Sequence, residues 1–292
     1  MLAAQYAASG RQLLDQVWAG ARSSCIHRDV RPEYIDRVFK RLLQNPFLNL
    51  ASLTSMLPSQ CAVCRSWPAA PVCHACMARF VINRPRCRCC ALALANGLSD
   101  DLQARFDVCM GCIRQPPPLD ATLAALDYAY PWSALISAYK FGEQPGWAPF
   151  FADLLLRAPG VRQAFENLQA DDLILPVPLS KERLQTRGFN QAWLLARELA
   201  RQAGSAASTD SALLLRVKNT RPQTELKREE RLTNVKGAVQ IDPLRAASVK
   251  GRRIVLVDDV MTSGASLFTA AEALRAAGAA HITGVVLART SL

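Results

Sequence analysis

Four C-x-x-C knuckles crowd into one stretch of the chain: CAVC (Cys61, Cys64), CHAC (Cys73, Cys76), CRCC (Cys87, Cys90) and CMGC (Cys109, Cys112). A two-residue gap turns both sulfurs of a knuckle toward one ion, and eight thiolates suffice for two closed tetrahedral zinc sites. Nine of the 10 cysteines lie between Cys61 and Cys112. Such crowding in a reducing compartment argues for structural zinc over disulfides, with an iron–sulfur cluster as the competing reading. Pairing in chain order gives one ribbon from Cys61 to Cys76 and another from Cys87 to Cys112, and spacing alone leaves a crossed pairing open. Cys89 competes with Cys90 for its knuckle. His74 is read as exposed or supporting, because sulfur already fills both sites.

The chain has 292 residues, half of them apolar, which is enough for about two domains with an ordinary core. Its opening residues lack the basic lead-in of a secretory signal, and no apolar run is long enough for a membrane span. A cytoplasmic protein without membrane insertion is therefore expected. The formal charge of +11 points to polyanionic partners. Two zinc ions on eight thiolates would lower it to about +7, still basic.

Beyond IRQPPPLD, whose three prolines make a stiff connector, strand and helix patterns alternate. Strands are expected at 122–130, 173–178, 211–217, 252–259 and 281–288, and helices at 132–141, 148–158, 189–202 and 266–278. This alternation predicts an α/β fold, a mostly parallel sheet flanked by helices, preceded by a small Cys-rich double zinc ribbon. The expected domains are a helical N-terminal extension at 1–56, the ribbon at 57–114 and the α/β domain at 119–292. Ligands of such sheets sit at the carboxyl ends of the strands, after LILPVP and after IVLVDD.

After the second of these strands, VDDVMTSGAS sets Asp258 and Asp259 before a hydroxyl-rich loop that enters a helix. The helix N-terminus offers amides and a positive dipole end to a phosphate, and Gly264 allows close backbone approach. The carboxylates would repel that phosphate, so they must meet sugar hydroxyls or Mg2+ on the same ligand. A phosphate at one end and vicinal hydroxyls at the other describe a ribose 5-phosphate. Neither a Walker A loop nor a dinucleotide fingerprint occurs.

At these residues the chain resembles the type I phosphoribosyltransferases. More narrowly, VDDVMTSGAS, PVPLSKERLQTRGFNQA (176–192), RPQTELKREERLTNVKGAV (221–239) and the double ribbon upstream are similar to the ComF family, associated with competence and DNA uptake. The resemblance covers about residues 57–290. It implies a Mg2+-dependent site for phosphoribosyl pyrophosphate (PRPP) or ribose 5-phosphate. Asp258 and Asp259 would take catalytic positions on the ribose hydroxyls, with Asp259 nearer the reacting carbon. Val260, Met261, Thr262, Ser263, Gly264, Ala265 and Ser266 would form the PRPP loop. Arg183, Arg187 and Gly188, in the turn after PVP, would grip pyrophosphate, as planar guanidinium groups do. Arg221, Gln223, Arg228, Arg231 and Asn234 would lie on a mobile segment closing over the site. Ala265 departs from the second glycine of many such enzymes.

The implied activity is phosphoribosyl transfer from PRPP to an acceptor that no segment identifies. The alternative is a non-catalytic accessory module that binds single-stranded DNA, a helicase or another DNA-uptake protein. Between Lys181 and Lys236 stand twelve Lys or Arg against six Asp or Glu, a surface for pyrophosphate or DNA, or simply a solvated face. Phe189 alone is a thin stacking platform and is read as core. Residues 1–56 lie outside the resemblance, Cys25 and His27 are read as incidental, and Met56 is a candidate native start.

Overall fold

The computed structural model describes residues 59–94, 107–142, 144–217 and 237–291. The N-terminal extension lies outside the described residues, as do Arg221, Gln223, Arg228, Arg231 and Asn234. Ser59–Leu292 forms one compact unit.

Five parallel strands build the central sheet: β1 (Ala121–Asp127), β2 (Leu173–Pro176), β3 (Ser208–Thr209), β6 (Arg253–Met261) and β7 (His281–Arg289), in the order β1-β7-β6-β2-β3. The strands with helices on both faces read as near-continuous apolar runs. Ile254, Val255, Leu256 and Val257 of β6 are all buried.

Alternation along β6 divides the core. Val255 and Val257 pack with α3 (Trp132–Phe141), α4 (Ala148–Leu156), α5 (Val161–Glu166) and α7 (Gln191–Ala203). Ile254 and Leu256 pack on the other side with α8 (Ala265–Ala276).

The expected helices at 132–141, 148–158, 189–202 and 266–278 therefore stand, to within a few residues at their ends. The segment 211–217 is a correction. Its strand, β4 (Leu214–Arg216), pairs antiparallel with β5 (Val239–Ile241) in a separate two-stranded sheet. A run of apolar residues specifies an extended chain but not its partner. The turn after PVP is likewise a helix, α6 (Lys181–Arg187): the Ser180 side chain accepts from the Arg183 amide, and Gly188 closes the helix at φ +75°.

The cysteine-rich segment, which carries α1 (His74–Phe80) and α2 (Met110–Arg114), is held to the sheet through β1. The Thr122 amide donates to the Arg88 carbonyl, and Thr122 Oγ1 donates to the Cys89 carbonyl at 2.7 Å, so the ribbon covers an edge strand. Trp132 Nε1 donates to the Phe80 carbonyl at 2.8 Å, fastening the first ribbon to α3. Cys61 and Cys76 share the core of α3, whereas Cys87, Cys90 and Cys112 share that of α8.

Candidate functional site

The cysteines resolve the pairing that spacing left open. Cys61, Cys64, Cys73 and Cys76 form one group and Cys87, Cys90, Cys109 and Cys112 another, all sulfurs within 4.8 Å of one another in each. Tetrahedral zinc with Zn–S near 2.3 Å sets sulfurs about 3.8 Å apart. The Cys64–Cys73 and Cys90–Cys109 separations are 3.6 and 3.7 Å, so both groups fit such an ion. In each, an amide donates to a knuckle sulfur: Cys73 N to Cys61 Sγ at 3.3 Å, Cys109 N to Cys87 Sγ at 3.2 Å. Burial raises the Cys61 thiol, but amide donors from Cys64, Cys73 and Val63 outweigh it and bring it down to about 6. The hydrogen bond from Cys90 brings Cys87 down to about 4 despite burial. Burial pushes Cys76 and Cys112 up to about 12, and the hydrogen bond to Cys87 pushes Cys90 up, so a bound cation would have to displace the protons of these three. Cys89 lies outside both groups, and His74 is exposed.

The second site stands at the carboxyl end of β6. Asp258, Val260, Met261, Thr262, Gly264, Ala265 and Ser266 line one hollow, closed by Leu267. Here strand and helix supply different parts: β6 delivers the carboxylate, and the first turn of α8 delivers amides without intrahelical acceptors. Gly264 takes φ +83°, and a Cβ there would lie 2.6 Å from Phe268 Cζ and 2.7 Å from Met261 Cε. Only glycine keeps this turn open. Ser263 does not line the hollow; its Oγ accepts from the Ala265 amide at 3.4 Å.

The two acids part company, as neighbours on a strand must. Asp258 faces the hollow. Asp259 is 2% exposed, points to the α3 side of the sheet, and its Oδ1 accepts from Lys140 Nζ at 2.9 Å. Its Oδ2 is buried and accepts no hydrogen bond. Burial, then the charge of Asp259, push Asp258 up to about 8, against the opposing pull of Lys140.

Cations surround the pair. Burial disfavours the charge of Arg187, which Asp259 and Asp258 favour and Arg183 opposes. Its guanidinium lies 4.5 Å from the centre of the Phe141 ring, at the end of the helix that carries Lys140. Arg216 of β4 is held likewise: burial and Arg183 disfavour its charge, and Asp258 favours it. Lys140, Arg187 and Arg216 thus meet the two carboxylates, and Arg183 lies near enough to oppose both arginines, a gathering of positive charge that suits a polyanion.

Sequence reasoning missed Lys140 and Arg216. A charge inside the apolar helix WSALISAYKF was the available signal for the first; for the second there was none, since β4 read as an ordinary strand. Phe189 packs on the core, its ring centre 6.1 Å from that of Tyr139.

The phosphoribosyl transferase domain family matches residues 190–291. The DNA utilization protein YhgH of Salmonella typhimurium is 35% identical over 182 residues, 62% of this chain and 78% of that protein. That of Shigella flexneri is 31% identical over 238 residues, 80% of this chain and 98% of that protein. Competence protein F of Haemophilus influenzae is 33% identical over 189 residues, 65% and 81% of the two chains. A relative matched over nearly its whole length, cysteine ribbons and sheet together, leaves one conclusion: the chain belongs to the ComF family, built on the phosphoribosyltransferase fold.

Proposed function

We propose that this protein binds PRPP, or ribose 5-phosphate, at the carboxyl end of β6 and uses it in handling DNA during uptake. One observation carries the reading: a single hollow unites the Asp258 carboxylate with the N-terminus of α8, the two features a phosphorylated ribose needs. The amides at the N-terminus of α8 and the hydroxyls of Thr262 and Ser266 take the 5-phosphate. Asp258 accepts from the ribose hydroxyls, Lys140 holds Asp259 behind it, and Arg183, Arg187 and Arg216 take the pyrophosphate. Mg2+, held by Asp258 and ligand oxygens, would neutralise the departing pyrophosphate. Asp258 would stabilise the positive charge that grows on the sugar as the bond to pyrophosphate breaks. The role in DNA uptake is taken from the relatives named for DNA utilization and competence, and single-stranded DNA, a helicase or another uptake protein is the corresponding partner.

Binding without turnover is favoured by one observation, the capture of Asp259 by Lys140, which leaves Asp258 as the carboxylate facing the hollow. Equilibrium dialysis of PRPP with Mg2+, competed by ribose 5-phosphate and by pyrophosphate, tests the reading. Retention displaced by both competitors supports it, and no retention overturns it. Release of pyrophosphate separates transfer from binding alone.

A further inference from the structure

The last residue of β7 joins the two sites. Arg289 is 3% exposed, opposite Met261 in the sheet register. Its Nε donates to the Cys90 carbonyl at 2.9 Å, inside the second cysteine group. Its Nη1 donates to the Met261 carbonyl at 3.1 Å, to the Thr262 carbonyl, and to the Thr290 carbonyl at 2.9 Å. One rigid, five-donor group therefore ties a metal knuckle to the first two peptides of the loop lining the hollow.

The consequence follows from peptide geometry. A trans peptide sets its N–H opposite its C=O. Drawing the Met261 and Thr262 carbonyls toward Arg289 aims the Thr262 and Ser263 amides away from it. At the other end, the position of the Cys90 carbonyl depends on the knuckle turn, which is fixed when the sulfurs of Cys87 and Cys90 share an ion. Burying a guanidinium is costly unless its donors are met, so the arrangement holds as a unit or loosens as one.

We propose that Arg289 is a positioning residue that couples metal occupancy of the Cys87, Cys90, Cys109 and Cys112 centre to the order of the Met261–Ser266 loop, so that metal and phosphate ligand reinforce each other. The mutual reinforcement rests on the reading that this loop holds a phosphate; the coupling of loop order to the metal does not. By linkage, each partner must raise the other's affinity by the same factor.

The test uses the zinc-loaded full chain and its Arg289→Met variant. Hydrogen exchange is followed in peptides spanning the loop and α7, and zinc release is timed with a chromophoric chelator. Arg289→Met is expected to speed exchange of the loop by about tenfold and to hasten release of one of the two zinc ions, with α7 unchanged. Thr122→Val, which cuts another ribbon contact, is expected to spare the loop. Where Arg289→Met does not fold, Arg289→Lys, which keeps the charge but cannot span both sets of carbonyls, carries the same expectation. In the wild type, ribose 5-phosphate is expected to slow that release about fivefold. Loop exchange unchanged in the Arg289 variants, or accelerated without any change in zinc release, overturns the coupling. Failure of wild-type protein to bind ribose 5-phosphate at all counts against the proposed function, while the ligand-free comparison still decides the role of Arg289.

Discussion

Lys140 Nζ lies 2.9 Å from Asp259 Oδ1, joining the end of α3 to the carboxyl end of β6 on the face away from α8. Both side chains are largely buried, so each charge depends on the other. Lys140→Met strands a buried carboxylate and is expected to destabilise the fold by about 3 kcal/mol, as breaking a buried ion pair does. Lys140→Met with Asp259→Asn removes the stranded charge and should recover much of the loss. Urea denaturation of the three variants checks this; additive losses would show the pair to be uncoupled.

The pH dependence follows from Asp258. Its folded carboxyl sits near 8, above the ordinary carboxylate value, chiefly because of burial and then Asp259. The folded chain therefore holds this proton more tightly than the unfolded chain. The resulting contribution to stability is complete below the unfolded value and is lost as pH rises through about 8. Ligand binding runs the other way, since ionised Asp258 accepts more strongly from ribose hydroxyls and is the form that holds Mg2+. Affinity for PRPP should rise as pH approaches 8 and flatten above it. In Lys140→Met the rise should move to higher pH, because Lys140 favours the ionised carboxyl. Calorimetry across pH measures both.

Gly264→Ala places a Cβ against Phe268 and Met261 at a backbone angle that favours glycine. The expected cost is about 1–2 kcal/mol of stability, with a larger proportional loss of ribose 5-phosphate binding because the loop itself must move. Thermal unfolding and ligand titration of the same samples separate the two effects.

Much of this was legible in the residues. Period and apolar runs placed β6, β7, α3 and α8, because strands buried on both faces and helices with one apolar stripe leave strong patterns. The knuckles were legible as two ions' worth of sulfur, but their pairing waited for the fold. The acids were legible as a pair; that Asp259 turns from the hollow follows from strand alternation only once the sheet faces are known. Lys140 stands far from Asp259 in sequence, and no local pattern encodes such a contact. Residues Lys181–Arg187 read as a turn because the run is short and polar, although Ser180 is a sound helix start signal and Gly188 a sound stop signal.

Metal analysis should find about two zinc ions per chain. Cys112→Ser should retain one. Cys89→Ser should retain both, since that thiol belongs to neither group. A single ion in the wild type would break the assignment of two four-cysteine centres.

The central claim is that the hollow beside Gly264 receives a phosphorylated ribose through Asp258. Titration of PRPP with Mg2+ into the wild type and into Asp258→Asn, followed by calorimetry near pH 8, addresses it most directly. The account expects saturable binding in the wild type that weakens at least about tenfold in the variant. Equal heats and affinities in both proteins would contradict it.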